Sequence, residues 1–220
     1  MTKIEDKCII QGNYEGKLLF DGANGVGAPA MKEFAKLLEG TLDVKIFNAG
    51  SGVLNSGCGA DHVKVSQSCP AGFENTLDAQ GAAQKCVSVD GDADRVVYFF
   101  KNSAGKFHLL DGDRIATLIA GYLQELLASA GLQDSIKLGL VQTAYANGSS
   151  TDYITRELGV PVACAATGVK HLHHKALEYD IGVYFEANGH GTVIFSHQAQ
   201  KLIKVIMNRE RKNYKFKNEK

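Results

Sequence analysis

The stretch Asp90-Gly91-Asp92-Ala93-Asp94-Arg95, here called the Asp loop, decides the fold of this chain. It lies between two apolar runs, 86–89 and 96–100, which are rich in β-branched and aromatic residues and too short for helices. The pattern therefore predicts a strand, a tight loop and a second strand. Three carboxylates this close repel one another, and a hard divalent cation such as Mg²⁺, which prefers oxygen ligands, relieves that repulsion. Arg95 adds a planar positive group that suits a phosphate.

An acidic loop of this kind has two other interpretations. An EF-hand loop also begins with alternating acids, but here Arg95 occupies its glycine position and Lys101 occupies the position of its final glutamate. We therefore reject the EF-hand hypothesis. A solvated acidic turn that holds no metal remains the alternative to a magnesium site.

The composition, 45% apolar and 22% charged residues, is that of a soluble globular protein. The formal net charge of zero provides no electrostatic basis for binding nucleic acid. The five cysteines are odd in number and contain no C-x-x-C pair, which predicts reduced thiols in the cytoplasm and argues against disulfides or structural zinc. The sequence shows neither the apolar core of a signal peptide nor a stretch long enough to span a bilayer, so no membrane association is expected.

A β-α-β unit is predicted ahead of the Asp loop. The run 17–20 indicates a buried strand, the glycine-rich turn 21–29 leads into a helix, and 42–47 indicates the next strand. The glycines resemble part of a dinucleotide-binding motif, but the second strand ends at Asn48, where that motif needs an acid. They therefore predict a tight strand-to-helix turn.

Two further segments carry acids with structural interpretations. Residues 50–81 lack periodicity and are predicted to form a long loop, in which Asp61 and His62 make a surface pair rather than a catalytic one. Farther along, an apolar stripe at helical spacing follows Asp111 and Asp113, so one of these two is predicted to be the N-cap of a helix.

The second half of the chain repeats the order of the first. Asn24 matches Asn147 after the first strand of each half, and Asp90 matches Glu186 at the end of a later strand. The predicted fold class is therefore α/β, with two similar mixed-sheet α/β domains whose strand-end loops face one cleft. The predicted division is a linker remnant at 1–13, a domain with the Asp loop at 14–108, a second domain at 109–200, and a helix end with a basic tail, frayed from residue 208, at 201–220.

Residues 186–192, here called the Glu loop, form a second polar constellation. Glu186, Asn188 and His190 offer an acid, an amide and an imidazole, which together suit the vicinal hydroxyls of a sugar. Gly189 and Gly191 allow the backbone to approach a ligand closely. A plain polar hairpin turn is the alternative.

A histidine cluster precedes the Glu loop. His171, His173 and His174 suggest zinc, but no cysteine or aspartate stands at metal-ligand spacing beside them. The preferred interpretation is a polar loop facing an anionic ligand, with Lys170 and His171 as donors.

The Asp loop resembles the metal loop of the α-D-phosphohexomutases. The Glu loop and the segment 167–175 resemble the phosphoacetylglucosamine mutase branch of that superfamily, and the resemblance covers about residues 14–200. It implies two of the related α/β domains of the phosphohexomutase type. It also implies Mg²⁺-dependent interconversion of N-acetylglucosamine 6-phosphate and 1-phosphate, a step in the biosynthesis of UDP-N-acetylglucosamine.

The resemblance also assigns roles to residues. Asp90, Asp92 and Asp94 would hold Mg²⁺, and Arg95 would contact the phosphate of a catalytic phosphoserine. The Glu loop would bind the sugar hydroxyls of the sugar-phosphate substrate through Glu186, Asn188 and His190.

Two family motifs do not occur in this sequence: the serine loop Thr-Ala-Ser-His-Asn-Pro and the phosphate clamp Arg-x-Ser-Gly-Thr-Glu-Pro. The sequence is therefore expected to represent the two middle domains of a longer mutase and not to turn over substrate alone. A catalytically inactive module that binds Mg²⁺ and sugar phosphate is the main alternative. A phosphatase that uses the Asp loop directly is a third hypothesis, although no single carboxylate stands out as its nucleophile.

Overall fold

Two mixed β-sheets form the body of the chain in the computed structural model, which describes residues 16–74 and 83–218. The four strands of the second sheet follow the order of the first four strands of the first sheet, which has one strand more. The first sheet has the order β2-β1-β3-β4-β5, with β1 (Lys17–Asp21), β2 (Asp43–Phe47), β3 (Cys86–Val89), β4 (Val96–Lys101) and β5 (Phe107–Leu110). The second has the order β7-β6-β8-β9, with β6 (Leu138–Thr143), β7 (Val162–Ala165), β8 (Ile181–Phe185) and β9 (Gly191–Phe195).

The pairing directions also repeat between the sheets. β1 pairs in parallel with β2 and β3, and β3 then pairs with β4 in an antiparallel hairpin. In the second sheet β6 pairs in parallel with β7 and β8, and β8 pairs with β9 in an antiparallel hairpin. The predicted fold class, two similar mixed-sheet α/β domains, is confirmed.

Helices connect the strands and cover the sheets. They are α1 (Gly27–Leu37), α2 (Ala60–Ser66), α3 (Gly112–Ser129), α4 (Gly148–Arg156), α5 (Val169–Ala176) and α6 (His197–Asn218). Asp111 is the N-cap of α3 and accepts from the Arg114 amide at 3.4 Å, which confirms one of the two predicted caps. Gly131, with a φ of 65°, follows the end of α3, because glycine adopts this left-handed conformation at little cost.

Apolar side chains fill both faces of each sheet. In the first sheet, Phe20 and Val87 pack beside Met31 of α1, whereas Phe73 and Phe99 form a second cluster with Val63 of α2. In the second sheet, the largest cluster joins α3, α4 and α6 to one face, and a smaller one joins α5 to the other. This burial is the main favourable term that holds the strand-end loops in place.

The glycine-rich turn after β1 brings the first helix against the Asp loop. A Cβ at Gly25 would collide with the backbone of Gly91, and the Val26 amide donates to the Gly91 carbonyl at 3.0 Å. The turn is thus tight, as predicted, and its glycine permits a close approach between two backbones.

Several predicted segments differ from the structure. The long loop predicted at 50–81 contains helix α2, and the polar loop predicted at 167–175 is mostly helix α5. Both helices are short and bury only two side chains each, so their apolar residues, although at helical spacing, make too short a pattern for a helix to be recognised. The frayed tail predicted from residue 208 is also wrong, because the backbone of α6 remains helical to Asn218.

Two predictions about the ends of segments need comment. The boundary predicted between residues 108 and 109 falls inside β5, so the first sheet extends to Leu110. The linker predicted at 1–13 lies outside the described residues. In the described part of the chain, no helix is long and apolar enough to cross a membrane.

Candidate functional site

The Asp loop and the Glu loop are equivalent hairpin loops of the two sheets. The first joins β3 to β4 and the second joins β8 to β9. The two loops meet directly, since Arg95 and His190 form an isolated antiparallel bridge and the Val96 amide donates to the Gly189 carbonyl at 3.1 Å. The fold therefore brings together two constellations that lie far apart in the sequence.

The Asp loop is a compact turn that gathers its carboxylates. The Ala93 amide donates to the Asp90 carbonyl at 3.0 Å, and the Arg95 amide donates to Asp90 Oδ1 at 3.1 Å. Ala93 has a φ of 59°, a left-handed conformation that reverses the chain. Asp90, Asp92 and Asp94 each place one carboxylate oxygen so that the three atoms lie within 4.8 Å of one another.

The electrostatics of this turn fit a divalent cation. The Asp90 side chain is only 13% exposed, and its burial raises the pKa of this carboxyl, with further contributions from the charges of Asp94 and Asp92. A raised pKa means that the charged form is disfavoured here without a compensating charge. Three oxygen donors that converge in this way match the ligands preferred by Mg²⁺.

Arg95 lies beside these carboxylates, and another acid already binds part of its guanidinium group. Its Nη1 donates to both oxygens of Asp61, at 2.9 and 3.0 Å. Its Nε lies 3.6 Å from Asp90 Oδ2 and 3.9 Å from Asp94 Oδ1, and is buried without a hydrogen-bond partner among residues 16–74 and 83–218. Burial lowers the pKa of Arg95, but the charges of Asp61, Asp90 and Asp94 outweigh it and raise the pKa overall.

The Glu loop is a turn held by its own side chains. Glu186 Oε1 accepts from the backbone amide of Gly168 at 3.1 Å, and its Oε2 accepts from the side-chain Nδ2 of Asn188 at 3.3 Å. Asn188 Oδ1 in turn accepts from the His190 amide at 2.9 Å. The His190 ring places Nδ1 3.5 Å from Asp94 Oδ2, which links the two loops through side chains as well.

The other predicted site residues lie one step farther out. Lys170 and His171 are exposed in the first turn of α5, directly after Gly168. His173 of the same helix has its Nδ1 3.0 Å from the hydroxyl of buried Tyr184. Among the described residues, the Asp loop is the one group of three or more acids, histidines or cysteines close enough to share a metal, so the histidine cluster forms no such group there.

Sequence reasoning missed two residues next to the site. Asp61 and Lys64, both on α2, contact the Asp loop and the Glu loop respectively. Asp61 was predicted to pair with His62, whereas it pairs with Arg95 in the structure. The available indication was the spacing of Ala60 and Val63, which are buried on one face of this short helix.

Comparison with known proteins agrees with this arrangement. Residues 12–97 match the family domain described as "Phosphoacetylglucosamine mutase AMG1, domain II", and residues 111–219 match "Phosphoacetylglucosamine mutase AMG1, domain III". A phosphoacetylglucosamine mutase from Sus scrofa is 50% identical over 206 residues, which cover 93% of this chain and 37% of that protein.

Solved structures show the same relationship. The N-acetylphosphoglucosamine mutase of Aspergillus fumigatus, in complex with GlcNAc-6P and magnesium, has a TM-score of 0.81 and 51% identity over 86% of this chain and 38% of its own. An apo N-acetylglucosamine-phosphate mutase of the α-D-phosphohexomutase superfamily has a TM-score of 0.79 and 46% identity over 86% of this chain and 41% of its own.

The paired sheets and their facing acidic loops thus define a protein of the α-D-phosphohexomutase type. The chain belongs to the phosphoacetylglucosamine mutase family and corresponds to its domains II and III. It spans somewhat over a third of the length of the Sus scrofa relative.

Proposed function

We propose that this chain supplies the metal- and sugar-binding part of a phosphoacetylglucosamine mutase. Such an enzyme interconverts N-acetylglucosamine 6-phosphate and 1-phosphate, in the route to UDP-N-acetylglucosamine. The observation that carries the proposal is the direct contact between the Asp loop and the Glu loop, through Arg95 and His190. An A. fumigatus relative at 51% identity, described with GlcNAc-6P and magnesium, supports the choice of ligands.

In this proposal the Asp loop holds Mg²⁺ through Asp90, Asp92 and Asp94, whose oxygens already converge. Bound Mg²⁺ supplies electrophilic stabilisation of charge on a phosphoryl group. Arg95 adds a fixed positive charge beside that position, where it attracts a phosphate and stabilises negative charge on it.

The Glu loop holds the sugar in the same proposal. Glu186 accepts hydrogen bonds from sugar hydroxyls, because a carboxylate has more acceptor capacity than the Gly168 and Asn188 donors use. Asn188 and His190 contact the same ring and help to orient it. Lys170 and His171, exposed at the start of α5, serve as donors to the anionic part of the ligand.

Two coarser features complete the proposal. We propose that the chain divides into a domain with the Asp loop, which includes β5 as far as Leu110, and a domain with the Glu loop, which begins with α3. We also propose a cytoplasmic location, supported by the odd number of cysteines and the lack of a C-x-x-C pair.

Paramagnetic relaxation tests whether metal and sugar phosphate bind in one cleft. Mn²⁺ replaces Mg²⁺, and the ³¹P relaxation of N-acetylglucosamine 6-phosphate is measured with and without protein. We expect a protein-dependent enhancement that Asp92→Asn abolishes and that Asp134→Asn, an exposed aspartate elsewhere, leaves intact. No enhancement with the wild-type chain would refute the proposal.

A catalytically inactive binding module is the second candidate. The observation that favours it is the lack of the family's serine loop among these 220 residues. A coupled assay of the chain alone with N-acetylglucosamine 6-phosphate, Mg²⁺ and a sugar bisphosphate activator tests the prediction of no turnover that both candidates share. We expect the chain alone to bind ligand without turnover, and turnover well above background would indicate a substitute nucleophile.

A further inference from the structure

Helix α2 lies between the two loops of the site and contacts both. Asp61 and Lys64 stand three residues apart on this helix, a spacing that places two side chains on one face. One of them reaches the Asp loop and the other reaches the Glu loop. No other described hydrogen bond or ion pair connects α2 to the Glu loop. The face of α2 that carries Asp61 and Lys64 therefore links this helix of the first sheet to the Glu loop of the second.

Lys64 contacts the Glu loop near its start, at Ala187. Its Nζ donates to the carbonyl of Ala187, the residue between Glu186 and Asn188. The same Nζ lies 3.9 Å from Asp111 Oδ2, and the lysine side chain is 29% exposed. A charged donor that is largely removed from water and held by two acceptors loses much more on being moved than a solvated lysine does.

Asp61 contacts the Asp loop at its cationic end. Both of its oxygens accept from Arg95 Nη1, and this pair restricts where that end of the guanidinium group can lie. The Nε of Arg95 is thereby aimed between Asp90 and Asp94. Without Asp61, the long arginine side chain regains rotamer freedom.

Helix α2 is itself fixed against the core of the first sheet, and a helix must be fixed in this way before it can hold other residues in place. Ala60 and Val63 are completely buried in the first sheet's core. The residue before the helix is also fixed, because the Gly59 amide donates to Asp21 Oδ2 at 2.8 Å and that carboxylate is completely buried. The exposed face of α2 is therefore tied to the interior of the sheet.

We propose that α2 is a positioning helix, in which Lys64 fixes the Glu loop and Asp61 fixes Arg95 before any ligand binds. Any effect of this positioning role on the binding of sugar phosphate rests on the function proposed above. Pre-ordered loops bind more tightly because less side-chain and loop entropy is lost on binding. Asp61 and Lys64 are thus positioning residues that act through Arg95 and Ala187.

Hydrogen exchange of the free protein tests the Lys64 arm. Lys64→Met keeps the aliphatic stem and removes the donor, so we expect the Glu186 and Gly189 amides to exchange at least about fivefold faster, with the Ala93 and Arg95 amides unchanged. Lys64→Arg keeps a cationic donor and should restore slow exchange. Lys36→Met, at an exposed lysine paired with Glu33, is the control. Equal Glu-loop exchange in Lys64→Met and Lys36→Met overturns the proposal.

Arginine side-chain NMR tests the Asp61 arm. In Asp61→Asn we expect the Nε–H signal of Arg95 to report greater mobility, with exchange in the Glu loop unchanged. Asp134→Asn should leave the Arg95 signal as in the wild type. A signal that stays equally rigid in Asp61→Asn overturns this arm.

The tests of the positioning role can fail independently of the test of the proposed function. Both measurements need no ligand, so they judge the positioning role even if the chain binds no sugar phosphate. A wild-type chain that fails the ³¹P relaxation test refutes the proposed function alone. Normal exchange in Lys64→Met refutes the positioning role alone.

Discussion

Val96 and Gly189 join the two sheets backbone to backbone. The Val96 amide donates to the Gly189 carbonyl at 3.1 Å, and Gly189 has a φ of 93°. A Cβ at residue 189 would lie 2.8 Å from the carbonyl carbon of Val96 and closer still to its oxygen. Contact between the Asp loop and the Glu loop therefore requires glycine at this position.

We expect Gly189→Ala to lower the free energy of unfolding by about 2–4 kcal/mol, the sum of left-handed strain and overpacking. Gly105→Ala is the matched control, because Gly105 also has a positive φ, 75°, but open space where its Cβ would stand. It should cost only about 1 kcal/mol. Urea unfolding measures the free energy of unfolding of both variants. Equal losses in the two would contradict the requirement for glycine at residue 189, because they would mean that the added Cβ disrupts no stabilising contact between the loops.

The second prediction concerns metal binding. Calorimetric titration with Mn²⁺ should show at least about tenfold weaker binding to Asp92→Asn than to Asp134→Asn, because only the former removes a converging carboxylate. The affinity for Mn²⁺ should also fall as the pH decreases, because the carboxylates must be ionised to bind the metal. Since burial raises the pKa of Asp90, this fall should begin above pH 3.8, the ordinary pKa of an aspartate side chain. Unchanged binding to Asp92→Asn would exclude the Asp loop as the metal site.

The third prediction concerns the sugar. Glu186→Ala should weaken binding of N-acetylglucosamine 6-phosphate by about 1.5–3 kcal/mol, since it removes a charged acceptor. Glu178→Ala is the control, because Glu178 is exposed and pairs with Lys175, so its loss should cost under about 0.5 kcal/mol. Equal effects in a titration would mean that Glu186 is not a ligand.

Glu186 also accepts from the Gly168 amide, and a second variant separates this structural role. Glu186→Gln can still accept that bond but lacks the charge. Its single side-chain oxygen cannot also accept from Asn188 Nδ2, so Glu186→Gln should lose less stability than Glu186→Ala and still lose most of the sugar affinity.

The fourth prediction concerns Asp21, which is completely buried at the end of β1. Its carboxylate accepts from the Ala23 amide at 3.1 Å, Asn48 Nδ2 at 2.7 Å, the Gly59 amide at 2.8 Å and Ser88 Oγ at 2.5 Å. Asp21→Ala leaves these donors unsatisfied and should lower the free energy of unfolding by at least about 3 kcal/mol. Asp43→Ala, at an exposed site in β2, should cost under about 0.5 kcal/mol. A loss at Asp21 as small as that at Asp43 would contradict its role as a shared acceptor.

The fifth prediction concerns pH. Burial raises the pKa of Asp113, with a smaller contribution from the charge of Asp111, although the bond from the Asn147 amide opposes it. An acid whose pKa is raised in the folded state favours folding when it is protonated. The contribution of Asp113 to the free energy of unfolding is therefore complete below pH 3.8, its ordinary pKa, and is lost as the pH rises through the raised pKa.

Asp113→Asn keeps an acceptor for Asn147 and cannot ionise. The free energy of unfolding of the wild type minus that of this variant should therefore decrease as the pH rises through that window. Urea unfolding of both proteins at a series of pH values measures the difference, and a constant difference would show that Asp113 does not titrate there.

Much of the architecture was predictable because it depends on local pattern. Short apolar runs such as 86–89 predict strands, and the acids that end β3 and β8 predict equivalent loops in a repeated unit. The cap of α3 at Asp111 was equally local, since a capping side chain binds an amide three residues away. In each case the interacting groups are close neighbours in the sequence.

Tertiary structure alone decided how these pieces meet. Helix α2 has only seven residues and buries only Ala60 and Val63, so its apolar pattern is too short to be recognised, and it depends on packing against the core for its stability. The pairing of Arg95 with Asp61 and the contact of Lys64 with Ala187 join groups that are distant in sequence. Such contacts depend on how two independently patterned sheets pack, and local sequence patterns do not reveal contacts between residues so far apart in the chain.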